Sequence, residues 1–176
     1  MSVVNQQAAV DIRPLWPDYL TESDFEHDFP YNLKLKAHQG PKAKKTDEME
    51  TYYSVTYPIK AQSVKFITAI ILKDSPASKN IPQVTRLKGD DLQGVRIAKG
   101  DKITDVYLNT RADGHIMHRN SCTNVNGWDT DAYLLAFSYK KGTDPAVSKN
   151  ILEWFIGYGS YVRNAHESIF DSYTKK

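Results

Sequence analysis

The sequence has one cysteine and no long hydrophobic run. Cys122 stands alone among 176 residues, so the chain can form no internal disulfide and its fold must depend on core packing. The longest apolar stretch, at 64–72, is interrupted by Lys65 and Thr68. It falls well short of the roughly 18 residues that a membrane helix requires, so we expect no membrane partner.

The chain also has little excess charge. Lys and Arg total 23 against 21 Asp and Glu, which gives a formal charge of +2. Binding to nucleic acid without sequence preference needs a strongly basic surface, so nucleic acid is not an expected partner. Three basic residues, Lys42, Lys44 and Lys45, lie in a loop predicted at 39–49. They could bind a polyanion, although a solvated loop is the simpler interpretation.

Amphipathic helical patterns are almost absent. Only 145–156 competes as a helix, and we assign it to a strand. Segments rich in β-branched and aromatic residues recur instead, with turn signals about every 8 to 12 residues. They lie at 31–38, 50–59, 64–72, 84–87, 94–100, 103–110, 114–119, 131–142, 150–162 and 166–173.

This pattern predicts an all-β fold, an antiparallel β-sandwich of about nine to ten strands with little helix. The nearly continuous apolar run at 64–72 predicts a central strand covered on both faces. We expect a single domain over 1–176, with a flexible tail over about 1–10.

Motifs of nucleophilic and nucleotide chemistry are missing. The sequence has no GxSxG elbow, no P-loop and no dinucleotide fingerprint, and no pair of carboxylates stands out. We therefore predict no catalytic residue and no cofactor for this chain.

One short stretch contains three residues of types that bind zinc, His115, His118 and Cys122. If the stretch is a strand, positions i and i+3 point to opposite faces, which argues against a shared ion. A loop could still bring them together, with Asp113 or Asp129 as the fourth ligand. The simpler interpretation is a polar hairpin tip with solvated histidines.

Aspartates and asparagines are also dense between 109 and 131, and their oxygens could bind calcium. Their spacing does not match an EF-hand loop. Asx turns explain the same residues without an ion, and we favour turns.

Three tryptophans could stack on a sugar ring if they are exposed. Trp128, in the polar run NVNGWDTD, is the one we expect to be exposed, and Trp154, in LEWFIG, is expected in the core. Trp16, between Pro14 and Pro17, fits either environment.

Four groups of turn and core residues follow one another between residues 50 and 173. They are Phe66, Thr68 and Ile70; Gly94, Val95 and Ile97; Asp105, Val106 and Leu108; and Ile169, Phe170 and Ser172. In this order they resemble the C-terminal β-sandwich of heparinase II/III-like polysaccharide lyases.

The resemblance implies a function through a larger protein. Lyases of this family carry their catalytic His and Tyr residues on an α/α-toroid and a preceding β-domain, and this sequence contains neither. The chain is then expected to be a C-terminal fragment, a non-catalytic accessory module. Its expected partners are the catalytic domains of a parent lyase and an anionic polysaccharide. The expected location is the periplasm or the exterior of a bacterium.

Two alternatives come from other classes of protein. The first is a stand-alone carbohydrate-binding module that uses Trp128 with Lys42, Lys44 and Lys45. The second is a small metalloenzyme centred on His115, His118 and Cys122.

Overall fold

A computed structural model describes residues 2–4, 8–16, 34–42, 49–56, 66–111 and 122–173. These residues form fourteen strands, one 3-10 turn at Ser148–Asn150 and no α-helix. The strands are β1 (Ser2–Val4), β2 (Ala9–Trp16), β3 (Lys34–Lys42), β4 (Met49–Thr56), β5 (Ile67–Lys73), β6 (Gln83–Lys88), β7 (Leu92–Lys99), β8 (Lys102–Asn109), β9 (Thr123–Val125), β10 (Trp128–Thr130), β11 (Leu134–Lys140), β12 (Ile151–Gly157), β13 (Tyr161–Arg163) and β14 (Ser168–Asp171). The predicted all-β antiparallel sandwich is confirmed.

The chain separates into two compact units. One contains Met1–Arg13 together with Thr68–Lys176, and the other contains Pro14–Ile67. Each unit is described by itself below, and the assignment of the whole chain to a single domain stays a prediction.

The larger unit is built around two antiparallel sheets. One has five strands in the order β12-β11-β8-β7-β6, and the other has four in the order β14-β13-β10-β9. Neighbours in the five-stranded sheet follow one another in sequence except at β8-β11, so most connections are short hairpins. The two-residue turn at Gly100 and Asp101 sets one hairpin register, pairing Lys99 with Lys102.

The hydrophobic core lies between these two sheets. From the five-stranded sheet come Tyr107, Leu135, Phe137 and Tyr139, and from the four-stranded sheet come Val125, Trp128 and Val162. Alternation along β8 and β11 directs these side chains inward, because successive residues of a strand face opposite sides of the sheet. Packing of this core stabilises a fold that has no internal disulfide.

Gly94 allows the closest packing within the five-stranded sheet. It pairs with Tyr107 across β7 and β8. A Cβ atom at this position would lie 2.5 Å from the carbonyl oxygen of Val106 and 3.3 Å from the Tyr107 ring. Only glycine leaves room for that ring above the strand.

A three-stranded sheet, β1-β2-β5, joins the amino terminus to the larger unit. Ser2–Val4 pairs with Ala9–Asp11, within the segment of about 1–10 for which we predicted a flexible tail. Ala9, Asp11 and Ile71 are buried on one face of this sheet, and Lys73 Nζ lies 2.6 Å from an Asp11 carboxylate oxygen.

The prediction that 64–72 is a central strand covered on both faces is wrong for the part that the structure describes. β5 ends its sheet, and Ile70 and Leu72 are 64% and 75% exposed. The apolar run at 67–72 therefore has one covered face, and its other face is open to solvent or to a partner.

The smaller unit contains the β3-β4 hairpin. Lys34 pairs with Thr56 at its open end, and the register shifts between Gln39 and Lys42. A hydrogen bond of 2.7 Å joins His38 Nε2 to Ser54 Oγ across the two strands. The strand extends to Lys42, so residues 39–42 belong to the hairpin and not to the predicted loop at 39–49.

Other strand assignments hold with adjusted ends. The segment 145–156, which competed as a helix, contains only the turn Ser148–Asn150 before it becomes β12. The run 150–162 is two strands, β12 and β13, because Tyr158 takes a positive φ of 52° between them. β1, β2, β9 and β10 were not predicted, and the predicted strand at 114–119 lies outside the described residues.

Candidate functional site

Trp128 is the clearest correction to the predicted glycan site. Its side chain is 0% exposed, and its indole Nε1 donates a 2.7 Å hydrogen bond to the Pro145 carbonyl oxygen. The indole face is therefore closed to a sugar ring. Trp128 begins β10, where Trp128 and Thr130 face the core and Asp129 faces solvent.

The two residues before Trp128 indicate a hairpin turn, which is the sequence feature that could have shown its burial. Asn126 and Gly127 both have positive φ, 49° and 86°, and they connect β9 to β10 in a two-residue hairpin. Asn-Gly is the preferred pair for such a turn. Strand pairing on either side makes the polar run a hairpin, which places Val125 opposite Trp128 in the core.

The predicted basic loop is only partly described. Lys42 is the last residue of β3, and Lys44 and Lys45 lie outside the described residues. The contribution of these lysines to polyanion binding stays a prediction.

The predicted zinc ligands are likewise divided. His115 and His118 lie outside the described residues. Cys122 is exposed, and its Sγ lies 2.6 Å from the Tyr161 hydroxyl. Burial, with the Cys122 contact next, raises the pKa of Tyr161. Within the described ranges, no three His, Cys, Asp or Glu side chains come together to hold a metal.

Aspartates and asparagines around the β9-β10 hairpin form turn and loop contacts. Asn124 Oδ1 accepts a hydrogen bond from the Gly127 amide, and Asn124 Nδ2 donates to Asp129 Oδ1 at 2.8 Å. Asp131 accepts bonds from the Ser160 amide and hydroxyl. These contacts agree with the preference for Asx turns over a calcium site, while Asp113 lies outside the described residues.

The densest polar cluster surrounds Asp105 on the core face of the five-stranded sheet. The Asp105 side chain is 0% exposed and accepts two 2.8 Å hydrogen bonds from the Arg96 guanidinium. Its Oδ2 also accepts from the hydroxyls of Tyr139 at 2.8 Å and Tyr107 at 3.2 Å. The side-chain amide of Asn126 donates a hydrogen bond of 2.8 Å to the Tyr107 hydroxyl oxygen. This bond links the network to the β9-β10 turn.

This network shifts the protonation of its members. Burial, followed by the bond to Asp105, raises the pKa of Tyr139 to about 12. Burial and the Asp105 charge also raise the pKa of Tyr107, and the bond to Asp105 raises the pKa of Arg96. Both hydroxyls therefore stay neutral donors at ordinary pH, and the carboxylate is occupied by internal partners. Its hydrogen bonds join β7, β8 and β11 of the five-stranded sheet.

Exposed apolar side chains mark two surfaces of the larger unit. The first is the open face of β5, at Ile70 and Leu72. The second is β12, where Leu152, Trp154 and Phe155 are 59%, 45% and 56% exposed. Trp154 was predicted in the core, and that prediction is wrong. Its ring instead lies 5.9 Å from that of Phe170, at the margin between the two sheets.

The Trp154 error has a specific cause. The burial pattern of β12 leaves four consecutive residues exposed, because β12 is the last described strand of its sheet and has a register shift opposite Ser138 and Tyr139. Hydrophobic composition alone does not show whether a strand is central or terminal. The Trp16 side chain lies outside what the structure describes.

The described residues define a class of fold, an all-β antiparallel sandwich. Comparison with protein-family models, with curated proteins and with solved structures finds no significant match to this chain. Nowhere in the described ranges does a helix have the length and apolar character to cross a membrane.

Proposed function

We propose that this chain is a non-catalytic accessory module of a heparinase II/III-like polysaccharide lyase that acts on an anionic glycan. One observation carries the proposal, the exposed apolar face of β5. Ile70 and Leu72 lie on that face, while Ile71 between them is buried at 4% exposure. An apolar sheet face left open on one side is a common site for contact with another domain.

The chemistry of the described residues supports a structural role. Asp105 is the most buried carboxylate and is bonded on both oxygens by residues of its own sheet. The Ser160 hydroxyl donates to Asp131, and Ser148 is bonded in the same way to Glu167. These hydrogen bonds stabilise turns and the core, which supports the proposed structural role.

The choice of a lyase as the parent protein rests on segment order. Phe66, Gly94 and Asp105 stand in the order that the resemblance requires; Phe66 immediately precedes β5, Gly94 lies in β7 and Asp105 lies in β8. Gly94 and Asp105 are structural positions, one under the Tyr107 ring and one at the centre of the polar network. The parent would act in the periplasm or outside a bacterial cell.

Lyase assays of the isolated chain test the non-catalytic part. We expect no ultraviolet absorbance from unsaturated uronate products on heparin, heparan sulfate, chondroitin sulfate or alginate. Robust turnover on any of them would overturn the proposal.

Docking is tested by titrating a purified heparinase II/III-like catalytic region with the chain in an analytical ultracentrifuge. We expect a complex that is weakened by the double substitution Ile70→Lys and Leu72→Lys. Tyr173→Lys, a matched change at another exposed apolar residue, should leave the complex intact. No complex with the wild-type chain, or equal loss in both variants, contradicts docking through β5.

Carbohydrate binding is the second candidate function. The Trp154 ring is exposed and could stack on a sugar, whereas the Trp128 ring is buried. In affinity electrophoresis on neutral and acidic polysaccharides, a binding module is retarded and Trp154→Ala abolishes the retardation. An accessory module that binds no glycan migrates unchanged on every gel.

A further inference from the structure

β12 is a terminal strand with one described neighbour. It pairs with β11, and the sheet order β12-β11-β8-β7-β6 gives it no partner strand on its other side within the described part of the chain. A terminal strand presents a row of backbone N–H and C=O groups to which another strand can add. Natural proteins usually protect such rows with charge, proline or irregular backbone.

The two terminal strands of this sheet differ in that protection. β6 carries Arg86 and Lys88, whereas β12 has neither a basic residue nor a proline. The single charge on β12, Glu153, is bound by Lys102, with 2.5 Å between Nζ and Oε2. The register shift in β12 falls beside Leu152, so Glu153–Gly157 keeps regular pairing with β11.

The regularly paired segment Glu153–Gly157 carries exposed apolar side chains. Trp154 and Phe155 point to opposite faces of the sheet, since they are adjacent in a strand, and about half of each side chain is exposed. A partner strand would therefore gain apolar contacts on both faces together with the backbone hydrogen bonds. Such exposure on an edge is unusual for a chain that stays monomeric.

We propose that two copies of this chain associate through β12, antiparallel to each other, with Phe155 on the two-fold axis. In this register Phe155 faces Phe155 of the second copy. Trp154 faces Ile156 of that copy, and Glu153 faces Gly157. The occupant is a second copy because the segment is complementary to itself. Its one carboxylate meets a residue without a side chain and keeps its Lys102 partner, so no like charges are opposed.

Charge and symmetry agree with this occupant. The formal charge of +2 per chain gives little long-range repulsion between copies. A two-fold contact uses the same patch twice, so one unprotected edge is sufficient and the assembly closes at two copies. The five-stranded sheets of the two copies would join into one continuous sheet. This inference is independent of the proposed lyase role.

The mass of the full-length chain, measured by sedimentation from micromolar to near-millimolar concentration, tests the association. We expect a monomer–dimer equilibrium. Phe155→Lys places two ammonium groups face to face and should raise the dissociation constant at least about tenfold. Leu72→Lys, the same kind of change on β5, should leave the equilibrium unchanged, with circular dichroism verifying that both variants fold.

Crosslinking provides a test that does not depend on the lysine variant. Directly opposed residues of antiparallel strands have Cβ atoms about 5 Å apart, close to disulfide distance. In a Cys122→Ser background, Phe155→Cys should oxidise to a covalent dimer, whereas Leu72→Cys should not. A wild-type chain that is monomeric at every concentration, a dimer unaffected by Phe155→Lys, or equal crosslinking by both cysteines would overturn the proposal.

Discussion

Arg96 binds the buried Asp105 carboxylate through two hydrogen bonds of 2.8 Å, from Nε to Oδ1 and from Nη2 to Oδ2. The two residues face each other across β7 and β8. The carboxylate is fully buried, whereas the Arg96 side chain is 37% exposed, so the ion pair runs from the core to the surface. Tyr139, on the next strand, donates to the same carboxylate.

Asp105→Asn should destabilise the fold strongly. It removes the charge that compensates Arg96 and disturbs the acceptor of two tyrosine hydroxyls. Breaking a buried pair by removing one partner costs several kcal/mol, and the partial exposure of Arg96 leads us to expect about 3 kcal/mol. The measurement is urea unfolding. Asp101→Asn, which removes a partner of Lys140 at an exposed 3.8 Å contact, is the control and should cost under about 1 kcal/mol.

Stability should fall at high pH through the tyrosines of this network. The pKa of Tyr139 is raised to about 12 in the folded chain, from an ordinary value of 10.0. The folded state therefore holds its proton more tightly, and this contribution is complete below pH 10 and is lost as the pH rises toward 12. Urea midpoints measured across this interval should decrease.

Tyr139→Phe separates this effect from the titration of other groups. It keeps the ring in the core but removes the hydroxyl group that titrates. The decrease in stability above pH 10 should therefore be smaller than in the wild-type chain. Tyr158→Phe, the same change at a residue that is 66% exposed, is the control variant. Identical profiles for the two variants would show that Tyr139 does not carry the effect.

Trp128 and Trp154 should differ in the cost of replacement by phenylalanine. Trp128→Phe leaves a cavity in the core and removes the donor to the Pro145 carbonyl oxygen, so we expect a loss of about 2 kcal/mol or more. Trp154→Phe changes a ring that is 45% exposed and should cost less than about 1 kcal/mol. Equal losses in denaturant unfolding would contradict the placement of Trp128 in the core.

Local sequence patterns predicted much of the five-stranded sheet. Gly100 and Asp101, between the strands predicted at 94–100 and 103–110, indicate a hairpin, and a two-residue turn there also sets the register. That register places Arg96 opposite Asp105, so the ion pair could have been derived from the sequence. Inward alternation would then place Tyr107 on the same face as Asp105.

The edges of the sheets could not be predicted in the same way. Whether a strand is central or terminal depends on which strands pair across long separations, and β5 and β12 have the apolar composition of central strands. The same limit explains why Trp154 was predicted in the core. The β9-β10 hairpin is a different kind of omission, because Asn126-Gly127 is a local signal that polar composition concealed.

Gly127 should tolerate alanine less well than Gly100, although both have positive φ, 86° and 63°. The left-handed conformation costs a non-glycine residue about 1–2 kcal/mol, and this applies at both positions. A Cβ on Gly127 would also lie 2.8 Å from the Ala146 Cβ, whereas a Cβ on Gly100 has no atom within 4 Å. Overpacking adds about 1–3 kcal/mol, so Gly127→Ala should be the more destabilising by that difference in urea unfolding. Equal losses would mean that the β9-β10 turn does not pack against Ala146 in solution.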